Sequence, residues 1–186
     1  MKFCSACGKT VSLKVPELDD RERHVCDHCD TIHYQNPRII VGCLPLWEDK
    51  VLLCKRAIEP RKHYWTLPAG FMENAETTQE GAVRETWEEA HARVSSPVLY
   101  TLFDLPDINQ VYMFYRCELI GPEYGSGPES LEVELFDESE IPWTELAFPV
   151  IYETLKLYFS DRQSRVYPVH SIELRKDAWH RMRQPV

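Results

Sequence analysis

Two C-x2-C pairs in the first thirty residues constrain this chain more than any other feature. Cys4-Ser-Ala-Cys7 and Cys26-Asp-His-Cys29 are separated by eighteen residues. Four thiolates spaced in this way can converge tetrahedrally on one zinc ion. The segment between them, T-V-S-L-K-V-P-E-L-D-D-R-E-R-H-V, is polar and too short to build an apolar core, so it should hold little structure without metal. With Cys4, Cys7, Cys26 and Cys29 filling all four positions, the zinc site is structural, with none left open for water. Gly8 and Asp30 each follow the second cysteine of a pair, where the turn favours a left-handed backbone. A redox dithiol would place a C-x-x-C at the start of a helix in a thioredoxin-like βαβ unit, and nothing in the sequence does so. His24, His28 and His33 read as surface residues. Cys43, Cys54 and Cys117 sit in apolar runs and read as buried thiols.

The 186 residues allow one well-cored domain with a small appendage. The expected organisation is a zinc ribbon over 1–34, a main domain over 36–163 and a C-terminal extension over 164–186. No run of about 18 apolar residues is present, so no membrane span is expected. The start, M-K-F-C-S-A-C-G-K-T, lacks the apolar core of a signal peptide, and a cytoplasmic protein is the expectation. A net charge of -9 weighs against nucleic-acid and anionic-membrane partners. It would also repel a phosphate-rich substrate, unless a bound divalent cation reverses the local charge.

Strand-like runs follow the linker Y-Q-N-P: R-I-I-V-G-C-L-P-L-W, then K-V-L-L-C-K-R, joined by a hairpin turn at W-E-D-K. Pro45 suggests a strand end, an edge or a bulge. After W-T-L-P-A-G-F, an apolar-periodic helix opens at T-T-Q-E and runs to about Ala92, capped by Thr77 or Asn74. Further strands are P-V-L-Y-T-L-F-D, Q-V-Y-M-F-Y-R-C-E-L and L-E-V-E-L-F. A second helix is predicted over roughly 145–160, from the spacing of Leu146, Val150, Ile151, Leu155 and Phe159. This order predicts an α/β fold, a mixed sheet sandwiched by helices. G-P-E-Y-G-S-G-P-E-S reads as a flexible loop. In the tail, Val166, Val169 and Ile172 suggest a strand and the basic end an amphipathic turn.

Within R-E-T-W-E-E-A, Glu85, Glu88 and Glu89 fall at i, i+3 and i+4 and share one helical face. An acidic face is usually only a solvated surface. Here the neighbourhood adds meaning: Gly70, Glu76, Arg84 and Glu85 complete the spacing G-x5-E-x7-R-E-x-x-E-E. A loop–helix unit of this kind can clasp a hard divalent cation such as Mg2+ between helix carboxylates and substrate phosphate oxygens.

On these residues the chain resembles the Nudix hydrolases, whose box reads G-x5-E-x7-R-E-U-x-E-E-x-G-U with U a bulky aliphatic residue. Trp65 to Gly70 is similar to the strand that leads into the box, and the span 38–160 fits the Nudix α/β/α sandwich. Thr86 and Ala92 stand where the family has aliphatic residues, and His91 where it has glycine. The resemblance implies that Glu85, Glu88 and Glu89 bind Mg2+ or Mn2+, that Arg84 orients Glu85, and that Glu76 braces the loop–helix unit. It leaves the general base open between Glu89 and a loop carboxylate, Glu129 first and Glu132 second.

A four-cysteine ribbon ahead of such a domain resembles the NADH pyrophosphatases and a related group active on ADP-ribose or FAD. The S-Q-P-W-P-F-P-x-S stretch of the NADH group has no counterpart here. F-D-L-P-D-I-N-Q-V-Y, from Phe103 to Tyr112, looks more like the ADP-ribose and FAD group. The expected activity is metal-dependent hydrolysis of the diphosphate in a small dinucleotide or nucleotide sugar, giving AMP with FMN or ribose 5-phosphate. Arg38, Arg56 and Arg61 are candidates to pair with phosphates. Phe103 and Tyr112 are candidates to stack on a base or flavin. A homodimer is expected from enzymes of this type. The rival readings are an NADH pyrophosphatase and a catalytically lapsed nucleotide-binding or regulatory module.

Overall fold

A computed structural model describes residues 1–175; the basic turn expected at the chain end lies outside the described residues. The chain divides into two compact units, Met1–Pro37 and a larger unit from Arg38 onward.

The small unit is a three-stranded antiparallel sheet of β1 (Val11–Lys14), β2 (Arg23–Cys26) and β3 (Ile32–His33), in that order. Besides Cys4 and Cys26 it buries a single apolar side chain, Val25. One side chain is worth about 1.5–3 kcal/mol of transfer free energy, far below the entropy of ordering the segment. As the turn chemistry requires, Gly8 (φ 72°) and Asp30 (φ 55°) both take left-handed conformations.

The larger unit begins with β4 (Arg38–Trp47) and β5 (Lys50–Arg56), joined by a two-residue turn that pairs Trp47 with Lys50. Short strands β6 (Trp65–Thr66) and β7 (Ala69–Phe71) lead to helix α1 (Thr78–Ala90). Then come β8 (Val94–Leu105), β9 (Gln110–Leu119), β10 (Ser130–Phe136), helix α2 (Pro149–Ser164) and β11 (His170–Glu173). The main sheet runs β10-β5-β4-β9-β8-β11, with β6 beside β5 and β7 beside β4. The β4–β9 and β8–β11 pairs are parallel and the others antiparallel, so the sheet is mixed as expected.

Alternation along the central strands builds both cores. Val41 and Cys43 of β4, Leu52 and Cys54 of β5, and Tyr115 and Cys117 of β9 pack with Ala82 and Ala90 of α1. Their neighbours Leu44, Leu46, Val51, Leu53 and Phe114 pack with Val150, Ile151, Leu155 and Phe159 of α2. Successive strand residues point to opposite faces, so one apolar run feeds two helix-covered layers. Cys43, Cys54 and Cys117 are all buried, as expected.

Pro45 lies in mid-strand beside β9, opposite Cys117. Cys43 N–H donates to the Pro68 carbonyl rather than into a ladder. Two residues on, the Pro45 nitrogen faces the same side, between the β7 pairing that ends at Gly42 and the β5 pairing that begins at Leu46. The missing donor therefore costs no ladder bond.

Thr77 caps α1 in a reciprocal box with Glu80, which settles the choice between Thr77 and Asn74. Buried Thr86, in the place of an aliphatic residue, satisfies its hydroxyl on the Ala82 carbonyl at 2.8 Å. The helix stops at Ala90 rather than Ala92 because His91 turns left-handed (φ 46°, ψ 27°) and donates its N–H to the Trp87 carbonyl. A non-glycine residue there carries a strain of about 1–2 kcal/mol. Part of that is offset when glycine also loosens the unfolded chain. His91→Gly is therefore expected to raise stability by about 0.5–1 kcal/mol, read by thermal or urea unfolding. A loss of stability instead would show that the imidazole contact with the Trp87 carbonyl outweighs backbone strain.

α2 begins at Pro149 rather than near 145. Proline is pre-organised for the first helical position, and Leu146 and Ala147 instead run beside β6, with Ala147 N–H on the Trp65 carbonyl. The tail supplies β11, which includes Ile172 but leaves Val166 and Val169 exposed outside it. No helix among the described residues is long and apolar enough to cross a membrane.

Candidate functional site

In the small unit the four sulfurs of Cys4, Cys7, Cys26 and Cys29 all lie within 4.8 Å of one another. Cys4–Cys29 is 3.8 Å, and Cys7–Cys26 and Cys7–Cys29 are 3.4 Å. A tetrahedral zinc with Zn–S bonds of about 2.3 Å sets its sulfurs about 3.8 Å apart, so the donor set fits that ion. The backbone N–H of Ala6 donates to the Cys4 sulfur, and those of His28 and Cys29 donate to the Cys26 sulfur. Of the three histidines expected on the surface, only His28 is exposed. His24 and His33 face each other across β2 and β3 and are half-buried. His33 Nε2 lies 3.3 Å from Cys4 Sγ, and His24 Nε2 lies 3.1 Å from the Met1 amino group.

The second constellation is built around Arg84. β7 pairs with β4 and delivers its end residue, Phe71, to the loop that returns at Glu76. Arg84 grips Glu76 bidentately, through Nε at 3.0 Å and Nη2 at 2.8 Å. Its Nη2 also donates to the Phe71 carbonyl at 3.2 Å. The remaining nitrogen, Nη1, donates to Glu85 at 2.7 Å and to Glu88 at 3.0 Å. Arg84 thus joins three carboxylates, where the family resemblance implied contact with one. The Arg84 guanidinium, helped by the Glu73 N–H, holds the Glu76 carboxyl down at about 2. Glu76 stays ionised and balances the arginine.

The three helix glutamates sit at graded depths. Glu88 is about half exposed (55%), Glu85 is 13% exposed and Glu89 is 6% exposed. Glu89 Oε2 accepts the Ala69 N–H at 3.0 Å. Burial pushes its carboxyl up to about 8, with the Glu85 and Glu129 charges adding and the Ala69 N–H and Arg56 opposing. Burial also raises Glu85, against the pull of Arg84. A cation beside these groups would reverse both shifts. Carboxylate oxygens are hard donors of the kind that suits Mg2+ or Mn2+, although among the described residues the four cysteine sulfurs are the one group of ligand atoms that already lie close together. At Gly70 a Cβ would stand 2.4 Å from the Glu85 carboxylate, so a side chain there would displace that carboxylate from its present place.

Arg56, at the end of β5, lies over the Phe148 ring at 5.2 Å and donates to the Pro60 carbonyl at 2.9 Å. Burial raises the Tyr112 hydroxyl, and the Arg56 charge opposes that rise as it does at Glu89. Arg38 lies over the Phe71 ring at 5.6 Å, and Arg61 over Tyr64 at 5.4 Å. Tyr112 is half-buried on the α2 face, its ring stacked with Phe114. Phe103 faces the same side but is fully buried in that core, so its ring has no face open to a ligand. Among the loop carboxylates, Glu129 is exposed and its charge reaches Glu85 and Glu89, whereas Glu132 is tied to Lys55 at 3.0 Å.

Two contributions had no sequence signal. One is the Ala69 backbone donor to Glu89. The other is the docking of the Gly-rich loop, whose Gly125 and Gly127 amides bond to the Ala90 and Glu89 carbonyls at 2.7 and 3.0 Å. The loop read as flexible is tied to α1.

Comparison with known proteins finds a family match in each unit. A Nudix N-terminal zinc-ribbon model matches residues 2–35, and a NUDIX domain model matches residues 36–158. The chain belongs to the Nudix hydrolase family, with the zinc ribbon preceding the hydrolase domain. It is similar to an ADP-ribose pyrophosphatase of Methanocaldococcus jannaschii, 32% identical over 145 residues, covering 76% of this chain and 80% of that one. It is also similar to an NAD-capped RNA hydrolase NudC of Photorhabdus laumondii, 33% identical over 132 residues, covering 70% of this chain and 49% of the other. The chain spans about half the length of several NudC relatives it matches. Among solved structures, a NUDIX hydrolase from Nitrosomonas europaea is 55% identical, with a TM-score of 0.92 over 95% of this chain and all of that one. An ADP-ribose pyrophosphatase from Streptococcus suis shares the fold at 21% identity, with a TM-score of 0.61 over 73% of this chain and 99% of that one.

Proposed function

We propose that the chain is a Mg2+- or Mn2+-dependent pyrophosphatase that hydrolyses the diphosphate of ADP-ribose to AMP and ribose 5-phosphate, with FAD as a second substrate. The observation that carries this reading is the glutamate face of α1, with Glu89 seated on the Ala69 N–H and Glu85 and Glu88 gathered by one anchored arginine. Support for ADP-ribose comes from the M. jannaschii relative, matched over most of its length.

Glu85, Glu88 and Glu89 would hold the ions. Arg84, fixed by its two bonds to Glu76, keeps Glu85 in place. Glu88 is the mobile member: an exposed i,i+4 ion pair is worth only about 0.3–0.5 kcal/mol, so it can leave Arg84 for a cation at small cost. When bound, the metal supplies Lewis-acid polarisation of the phosphoryl group and a water of lowered pKa. Arg56, with Arg38 and Arg61, would pair with phosphate oxygens, and Tyr112 would stack on the base. Glu129 would take the proton of the attacking water. The water oxygen bonds to phosphorus, the bridging P–O bond breaks, and each product leaves as a phosphomonoester.

The NudC relatives favour one second reading, hydrolysis of NADH-type dinucleotides. The -9 net charge argues against the polyanionic strand of a capped RNA as the preferred substrate. A panel of ADP-ribose, FAD, NADH and NAD-capped RNA, with each metal, decides among these. Product phosphate is released by a coupled phosphatase. ADP-ribose is expected to show the highest kcat/KM. NADH in first place would favour the second reading, and no release from any substrate would remove the hydrolase assignment.

A further inference from the structure

Building on the proposed hydrolysis, we propose that Gly127 is a positioning residue for that reaction: having no side chain, it seats the 121–130 loop on the last turn of α1 and so fixes Glu129 against the glutamate face. The Glu89 and Ala90 carbonyls belong to the helix end, where intrahelical partners run out. The loop answers both, through Gly127 N–H at 3.0 Å and Gly125 N–H at 2.7 Å. Gly127 is buried, and a Cβ there would stand 1.7 Å from the Glu88 carbonyl oxygen and 3.1 Å from Glu89 Cα. No side chain fits that approach, and the atoms in the way are the backbone of two of the glutamates. At the other end, the Glu129 carbonyl accepts the Ala57 N–H at 2.8 Å, and Ser130 starts β10 opposite Arg56. Pro128 alone lies between Gly127 and Glu129, so the Glu129 backbone is held in place relative to α1. Its charge is felt at both Glu85 and Glu89.

Gly125 provides the contrast. It lies on the same loop, yet a Cβ there meets nothing within 4 Å. The two glycines therefore respond differently to the same substitution if the close approach, rather than general loop freedom, is what matters.

The test compares wild type, G127A, G125A, E129Q and the G127A/E129Q double variant with Mg2+ and ADP-ribose. G127A is expected to lower kcat by about tenfold to a hundredfold, the scale of a 1 Å misplacement, with KM within about twofold. G125A is expected to stay within about twofold of wild type. The double variant should be no slower than E129Q alone, because both changes remove the same correctly placed carboxylate. Independently of activity, amide hydrogen exchange of the metal-free protein should show the 125–130 amides losing protection in G127A and keeping it in G125A. If G127A is not recovered folded, G125P serves instead. It deletes the donor to Ala90 and should lower kcat with the same non-additivity toward E129Q. Wild-type kcat in G127A, equal effects at the two glycines, or losses that multiply with E129Q would overturn the inference while leaving the hydrolase reading intact. An inactive wild type would remove both.

Discussion

Glu89→Gln is expected to lower kcat on ADP-ribose by about 10²–10³-fold, or about 3–4 kcal/mol of transition-state stabilisation. Glutamine keeps the shape and can still accept the Ala69 N–H, but it cannot ionise to hold a cation at the base of the site. The same substitution should leave the metal-free fold intact, and its effect on stability has a definite sign. Burial raises the folded-state carboxyl of Glu89 to about 8, above the unfolded value near 4.3. Between those values the folded state binds the extra proton. The resulting stability is fully present below about pH 4.3 and is lost as pH rises through about 8. Wild type without metal should therefore lose, relative to Glu89→Gln, on the order of a few kcal/mol across that window. Turnover and metal-free urea unfolding at several pH values check both halves. Near-wild-type turnover would remove the metal assignment. Parallel pH–stability curves for the two proteins would mean that the carboxylate is better solvated than its depth implies.

The glutamate face was legible in the sequence because the chemistry depends on residue type at fixed helical spacing. Gly70, Glu76, Arg84 and the three glutamates lie within twenty residues, so local geometry nearly determines that Arg84 meets Glu76, Glu85 and Glu88. The cysteine pairs were legible for the same reason. Elsewhere the meaning depended on tertiary partners. Gly125 and Gly127 have the composition of a free loop, and only the open carbonyls of α1 make them a clamp. Phe103 and Tyr112 stand opposite each other in the β8–β9 ladder, yet one is sealed in the core and the other is half-buried. Irregular register in β8 between Ser95 and Val98, and again between Leu99 and Thr101, shifts the alternation that a sequence reader would count along it. The start of α2 was displaced because apolar spacing extends through Leu146, while Pro149 fixes the first turn.

For the small unit, Cys7→Ser is expected to bring zinc content from one ion per chain to near none and to unfold residues 1–37. A structural zinc contributes about 10–16 kcal/mol of binding free energy at neutral pH. Against this, the unit buries Val25 and two of its own ligands, and segments below about 40 residues seldom hold a fold without such a staple. One hydroxyl in place of a thiolate leaves three ligands and a far weaker site. Amides of Val11–Lys14 and Arg23–Cys26, which pair in the β1–β2 ladder, should then exchange rapidly. Hydrolysis should persist within a few-fold, because every carboxylate and arginine proposed for the reaction lies between Arg38 and Glu129 in the larger unit. Elemental analysis, hydrogen exchange and the ADP-ribose assay separate the outcomes. Undiminished zinc would refute the ligand set. Loss of zinc together with abolished turnover would show instead that the ribbon takes part in the reaction, which is more than a structural zinc site requires.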